Sequence, residues 1–141
     1  VVPASTIPEG IAALLEFDGS KSLESNLKQM ESGLNSVSTV EICRAVRPVV
    51  LNGVTVGDDQ FIGLLNRQLV AAGDTAEAVL ADALAQAGTE DKELVTLFWG
   101  GPMTETEAAQ TTQNLEARFD GIEFELVNGG QPHYHFLVSI E

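Results

Sequence analysis

The hydrophobic period of this chain switches from helical to alternating and back, and that succession constrains the fold more than any single motif. Ile7, Ile11, Leu14 and Leu15 share one face of a short helix. Thr6 and Glu9 have capping-box spacing at its start, Pro8 fits a first turn, and Asp18-Gly19-Ser20 breaks it after Phe17. From Ser22, Leu23, Leu27, Met30, Leu34 and Val37 recur at helical spacing and predict a second amphipathic helix. Period two takes over at Thr39, where Val40, Ile42 and Val46 alternate with Glu41, Cys43 and Ala45 until Pro48 interrupts the ladder. Asn52-Gly53 between Val50-Leu51 and Val54-Thr55-Val56 is a strong hairpin signal, because both central residues of that turn need positive φ. Phe61 to Leu65 and Gln68 to Ala71, separated by Asn66-Arg67, predict a second hairpin.

Helical spacing returns at Val79, Leu80, Ala83, Leu84 and Ala87, with Asp74 as the expected cap, Glu77 three residues on and Gly88 as the stop. An apolar strand, Leu94 to Trp99, then leads through Gly100-Gly101-Pro102 into a helix opened by Thr104 and Glu107 and faced by Ala108, Thr112, Leu115 and Phe119. Ile122, Phe124 and Leu126 form a half-buried strand, and Tyr134, Phe136, Val138 and Ile140 form the last. The strand–helix–strand unit from Leu94 to Leu126 is expected to pair in parallel. The fold class expected is α/β (α+β): one mixed, largely antiparallel sheet with helices packed on it.

A length of 141 residues fits a single domain, 1–141, and 44% hydrophobic with 20% charged residues excludes a disordered tail. Seven cations against 21 acids give a net charge of −14, which argues against nucleic acid and anionic lipid as partners. No apolar run reaches the roughly 20 residues of a membrane span. The lone Cys43 calls for no oxidising compartment, so a cytoplasmic location is expected. A start at Val1-Val2-Pro3 without methionine is expected of a piece of a longer polypeptide.

The opening Val1-Val2-Pro3-Ala4-Ser5-Thr6-Ile7-Pro8-Glu9-Gly10, continuing through Leu14-Leu15 to Phe17-Asp18, resembles a stretch late in the ATP-binding subunit of bacterial fatty acid kinase. The resemblance continues through Asn52 to Asp58, Leu94 to Leu97, Thr104-Glu105 and the closing Gly129 to Glu141, and so covers essentially the whole chain. It implies the carboxy-terminal part of a protein whose amino-terminal domain is dihydroxyacetone-kinase-like (DhaL-type). It also implies a fold similar to the second lobe of DegV-type fatty-acid-binding proteins. ATP and magnesium are then expected in the amino-terminal domain, no cofactor is expected in these residues, and the partner implied is the separate DegV-like subunit that carries the acyl chain. DegV-type lipid binders usually hold the fatty acid carboxylate with a His-Thr-Gly-Pro-Gly run. This chain has Gly129-Gly130-Gln131-Pro132 in that neighbourhood, which weakens a carry-over of direct lipid binding.

Several residue groups have chemical potential in their own right. His133 and His135, two apart on a strand, are expected on one face opposite Tyr134 and Phe136. Two imidazoles can grip a metal, but zinc needs further ligands that the neighbourhood lacks, so rim histidines are the favoured reading and no metal is assigned. Gly100-Gly101-Pro102-Met103 enters a helix N-terminus, where amides can receive a phosphate, yet it has neither a dinucleotide glycine pattern nor a Walker lysine. A tight turn is the better reading. Arg44, Arg47 and Arg67, three of only seven cations, fall in the hairpin region and form a candidate anion island. Trp99 and Met103 flank the glycine turn as contact or core residues. No catalytic residue is assigned. The function expected is a non-catalytic docking module whose loops, Gly100 to Met103 and Gly129 through Gln131 to His133, meet the acyl-carrying protein or a second copy. The alternative is a lipid- or small-molecule-binding lobe.

Overall fold

A computed structural model describes residues 1–141. Its elements are α1 (Ile7–Leu15), α2 (Leu23–Ser36), β1 (Ser38–Arg44), β2 (Val49–Leu51), β3 (Val54–Val56), β4 (Phe61–Leu65), β5 (Gln68–Gly73), α3 (Ala76–Ala87), β6 (Leu94–Trp99), α4 (Glu105–Arg118), β7 (Glu123–Asn128) and β8 (Tyr134–Ile140). Six strands form one sheet in the order β5-β4-β1-β8-β6-β7, and β2-β3 stand apart as a two-stranded arm. Only β6 and β7 pair in parallel, as the Leu94–Leu126 unit predicts; every other pair is antiparallel.

Local chemistry sets most boundaries. Thr6 and Thr104 each accept from the third helical amide while Glu9 and Glu107 return the bond, so α1 and α4 open on complete capping boxes. At α3 the cap is Thr75 rather than Asp74: its hydroxyl accepts from Ala78 N–H, one residue later than expected. Gly88 closes α3 at φ 70°. The Asn52-Gly53 turn has φ of 53° and 76°, and Asn66-Arg67 turns at 49° and 70°. β1 ends at Arg44, earlier than its alternation suggests; Val46 lies beyond it, exposed.

Helices α3 and α4 cover one face of the sheet. There Val40, Ile42, Val95, Leu97, Phe136, Val138 and Ile140 are closed off by Val79, Leu80, Leu84, Ala108 and Leu115 in one continuous core. Strand alternation turns Thr39, Leu137 and Ser139 to the other face. There α1 rests on β1, with the Thr6 and Thr39 hydroxyls 3.0 Å apart.

Helix α1 turns its small residues inward. Pro8, Ala12 and Ala13 are buried, and α1 approaches α2 so closely that a Cβ on Gly33 would lie 2.9 Å from the Ala12 carbonyl oxygen. The aliphatic face of Ile7, Ile11, Leu14 and Leu15 consequently points to solvent. Buried Asn26 fixes the connection: its Oδ1 accepts from Asp18 N–H, and its Nδ2 donates to the Asp18 and Lys21 carbonyls.

A candidate docking end

Strands β1, β6 and β7 run in one direction, so the exit of β1 into the β2–β3 arm, the glycine loops after β6 and β7, and the starts of α3 and α4 all stand at one end of the sheet. In open parallel α/β sheets ligands bind beyond the carboxyl ends of the strands, and here four of the six strands, β1, β5, β6 and β7, end on this side.

The two glycine loops interlock. Gly100 N–H donates to the His135 carbonyl at 3.0 Å, Gly101 N–H to the Gln131 carbonyl at 2.8 Å, and Gly129 N–H to the Trp99 carbonyl at 3.0 Å. The Gln131 side-chain amide donates back to the Phe98 carbonyl at 2.7 Å. A side chain at Gly100 would strike the Tyr134 and Gln131 carbonyl oxygens, and one at Gly129 would strike the Gln131 amide. Gly100 is therefore required by close backbone approach, whereas at Gly129 it is the Gln131 and Phe98 side chains that would have to give way. The Gly100 and Gly101 amides are spent inside the knot and Met103 N–H turns back to the Gly100 carbonyl, so the loop does not fit a phosphate. The tight-turn reading holds. Trp99 and Met103 are half-buried against the core, while Gly130 lies exposed at the tip at φ 66°.

The histidines do not share a face. β8 carries one extra residue opposite β1, because Ile42 pairs with Phe136 and Cys43 with Tyr134, leaving His135 as a bulge. His135 consequently lies in a cleft of about 350 Å³ with Arg44, Phe61, Thr75, Met103 and Glu107. His133 lines a separate cleft of about 340 Å³ with Ile7, Glu41, Tyr134 and Leu137. The expectation of a paired imidazole face is corrected by this single inserted residue. No group of three or more His, Cys, Asp or Glu side chains is placed to hold a metal ion.

Nor do the arginines converge. Arg44 donates to Asp59 Oδ2 at 2.8 Å and lies over the Phe61 ring at 4.8 Å. Arg67 sits in the β4–β5 turn, beyond the far end of the β1–β4 ladder, and Arg47 lies exposed in the β1–β2 connection. The anion island is absent because antiparallel pairing sets Arg44 against Phe61 and carries the chain away before it turns at Arg67.

Electrostatics differ between the clefts. Burial pushes the His135 imidazole below its ordinary pKa, Arg44 adds to the effect and Glu107 opposes it. Its Nδ1 is buried without a hydrogen-bond partner, and its ring meets Phe61 edge-on at 4.9 Å. The Thr104 amide and hydroxyl hold Glu107 below the usual carboxylate range. Burial and Glu41 raise both the Tyr134 phenol and the Cys43 thiol, which keeps Cys43 protonated and a poor nucleophile.

Periodicity alone does not single out the β2–β3 arm as a surface. Val46, Val49, Val50 and Leu51 are all exposed, and only Val56 of the hairpin is buried. The available signal was Pro48, which ends the ladder and separates the Asn52-Gly53 hairpin from the main sheet.

Comparison with known proteins bears on the whole chain. The family profile for the C-terminal region of FakA-like fatty acid kinase proteins matches residues 1–141. An uncharacterised protein of Staphylococcus haemolyticus is 33% identical over all 141 residues, which make up 26% of its length. Protein YloV of Bacillus subtilis is 31% identical over the same span, again 26% of its length. The chain thus spans about a quarter of the curated relatives it matches. Among solved structures, a DegV family protein from Thermus thermophilus, described as fatty acid binding, superposes with a TM-score of 0.55 at 14% identity, over 93% of this chain and 55% of its own. That likeness shows the DegV-like fold. With its full length matched, the chain belongs to the FakA-like C-terminal family of fatty acid kinase.

Proposed function

We propose that this chain is a non-catalytic docking region of a fatty acid kinase, and that its carboxyl sheet end meets the DegV-like protein carrying the acyl chain. The observation that carries the reading is the uncovered aliphatic arm standing at the same end as two interlocked loops: an apolar contact surface beside a rigid one. A kinase must bring an acyl carboxylate to a nucleotide phosphate, and two separate proteins do so only if they meet in one reproducible orientation. In this reading ATP and magnesium are held by the amino-terminal part of the longer chain.

Calorimetric titration of the 141-residue chain with an acyl-loaded DegV-type protein tests it. Binding is expected, and Val50→Asp, at an exposed position, is expected to weaken it at least about tenfold without moving Tm. Binding by the longer chain alone would place docking outside this region; self-association through the arm would make a second copy its occupant.

One observation favours a lipid-binding lobe as a second reading. The cleft beside Tyr134 and a smaller one of about 100 Å³ share Ile7, Gln131 and Leu137, forming a largely apolar groove under α1. Native mass spectrometry decides the matter: a co-purifying fatty acid supports the groove, and a ligand-free mass removes it.

A further inference from the structure

Helix α1 is built inside out. Ile7, Ile11, Leu14 and Leu15 are 63%, 42%, 68% and 75% exposed, whereas the residues it buries are Pro8, Ala12 and Ala13. Phe17 and Leu23, at the turn into α2, are exposed as well. Single exposed apolar residues are ordinary, but four on one face of α1 with two more at the turn into α2 are the kind of concentration that marks an interface.

The patch begins only a few residues after Val1. In relatives about four times as long, with this region carboxy-terminal, the rest of the polypeptide leads into that point. In such a chain the preceding polypeptide is tethered to α1, and a tethered surface outcompetes a free second copy at micromolar concentration when its linker is short. The net charge of −14 disfavours an anionic lipid surface as the occupant.

We infer that the α1–α2 aliphatic face is an intramolecular interface, covered by the folded region that precedes it in the longer polypeptide. This rests on reading the chain as a carboxy-terminal region. It is independent of the arm, which docks a different molecule. Covering α1 stabilises it against local opening, so its amides exchange more slowly in the longer chain.

The experiment is hydrogen–deuterium exchange on the 141-residue chain and on the full-length polypeptide, each with and without the double substitution Leu14→Glu and Leu15→Glu. Both side chains are exposed, so the short chain is expected to keep its Tm. In the full-length protein the α1 amides are expected to exchange at least about tenfold more slowly than in the short chain. The double substitution is expected to erase that difference and to expose a matching upstream segment. Equal exchange in both lengths overturns the inference. So does a concentration-dependent dimer of the short chain that the substitutions abolish, since a second copy is then the occupant. So does loss of binding to the DegV-type protein with upstream protection unchanged. Failure of Val50→Asp to affect partner binding bears on the docking proposal alone.

Discussion

A single methyl group at Gly100 is expected to cost this protein far more than the same group at Gly101. Neither residue has a positive φ, so backbone conformation admits alanine at both. The difference is space. A Cβ at Gly100 would overlap the Tyr134 and Gln131 carbonyl oxygens, which belong to backbone and cannot rotate away. At Gly101 the nearest atoms are the Gln131 carbonyl oxygen at 3.6 Å and Pro132 Cα at 3.9 Å, ordinary van der Waals contacts. Relief at position 100 requires the two loops to part. That breaks the bonds from Gly100 N–H to the His135 carbonyl and from Gly101 N–H to the Gln131 carbonyl. At roughly 1–3 kcal/mol for each group left unsatisfied, Gly100→Ala costs about 3 kcal/mol. For a domain of this size that lowers Tm by about 10 °C. Gly101→Ala stays within about 0.5 kcal/mol. Urea unfolding followed by the fluorescence of Trp99, the single tryptophan, reads both variants beside the knot itself. A loss below about 1 kcal/mol for Gly100→Ala, or equal losses for the two variants, refutes the interlocked geometry.

Two further predictions concern polar groups. His135 has a lowered pKa in the fold, so between that value and the ordinary 6.5 the unfolded chain binds more protons and stability rises with pH. Its contribution is complete above pH 6.5 and is lost as pH falls through the folded value. Because acidification also relieves the repulsion within a net charge of −14, the decisive comparison is with His135→Gln, whose urea midpoint should fall less between pH 7.5 and 5.5; parallel pH profiles exclude the effect. Asn26→Ala removes three hydrogen bonds that clamp the α1–α2 connection and leaves the Asp18 N–H unpaired, for a loss of about 2 kcal/mol in the unfolding free energy read from urea titration; a loss under about 0.5 kcal/mol argues against the clamp.

What the sequence discloses and what it withholds divide by range. The Thr6–Glu9 and Thr104–Glu107 boxes, the Asn52-Gly53 turn and the Gly88 stop are each decided within a few residues, and all stand where the pattern puts them. The parallel β6–β7 pair is equally legible, because a strand, a helix and a strand admit few connections. Choices made by distant partners are not. The direction in which α1 faces depends on Gly33 letting Ala12 approach, and a helical wheel cannot show that. The separation of His133 from His135 depends on β1 pairing across a bulge, and the dispersal of the arginines on the register of β4. The two glycine loops were legible as turns; that they lock each other was not, since Gln131 finds Phe98 and Gly101 across about thirty residues.

The placement of β8 has a consequence for how the chain is made. β8 lies between β1 and β6 and joins β5-β4-β1 on one side to β6-β7 on the other. A chain that reaches only as far as Asn128 can form two partial sheets that share no ladder. Each keeps an edge open until Tyr134–Ile140 pairs with both β1 and β6. Chaperone protection matters most in that interval, and a premature stop codon anywhere before Tyr134 would leave the nascent domain with no seam to close.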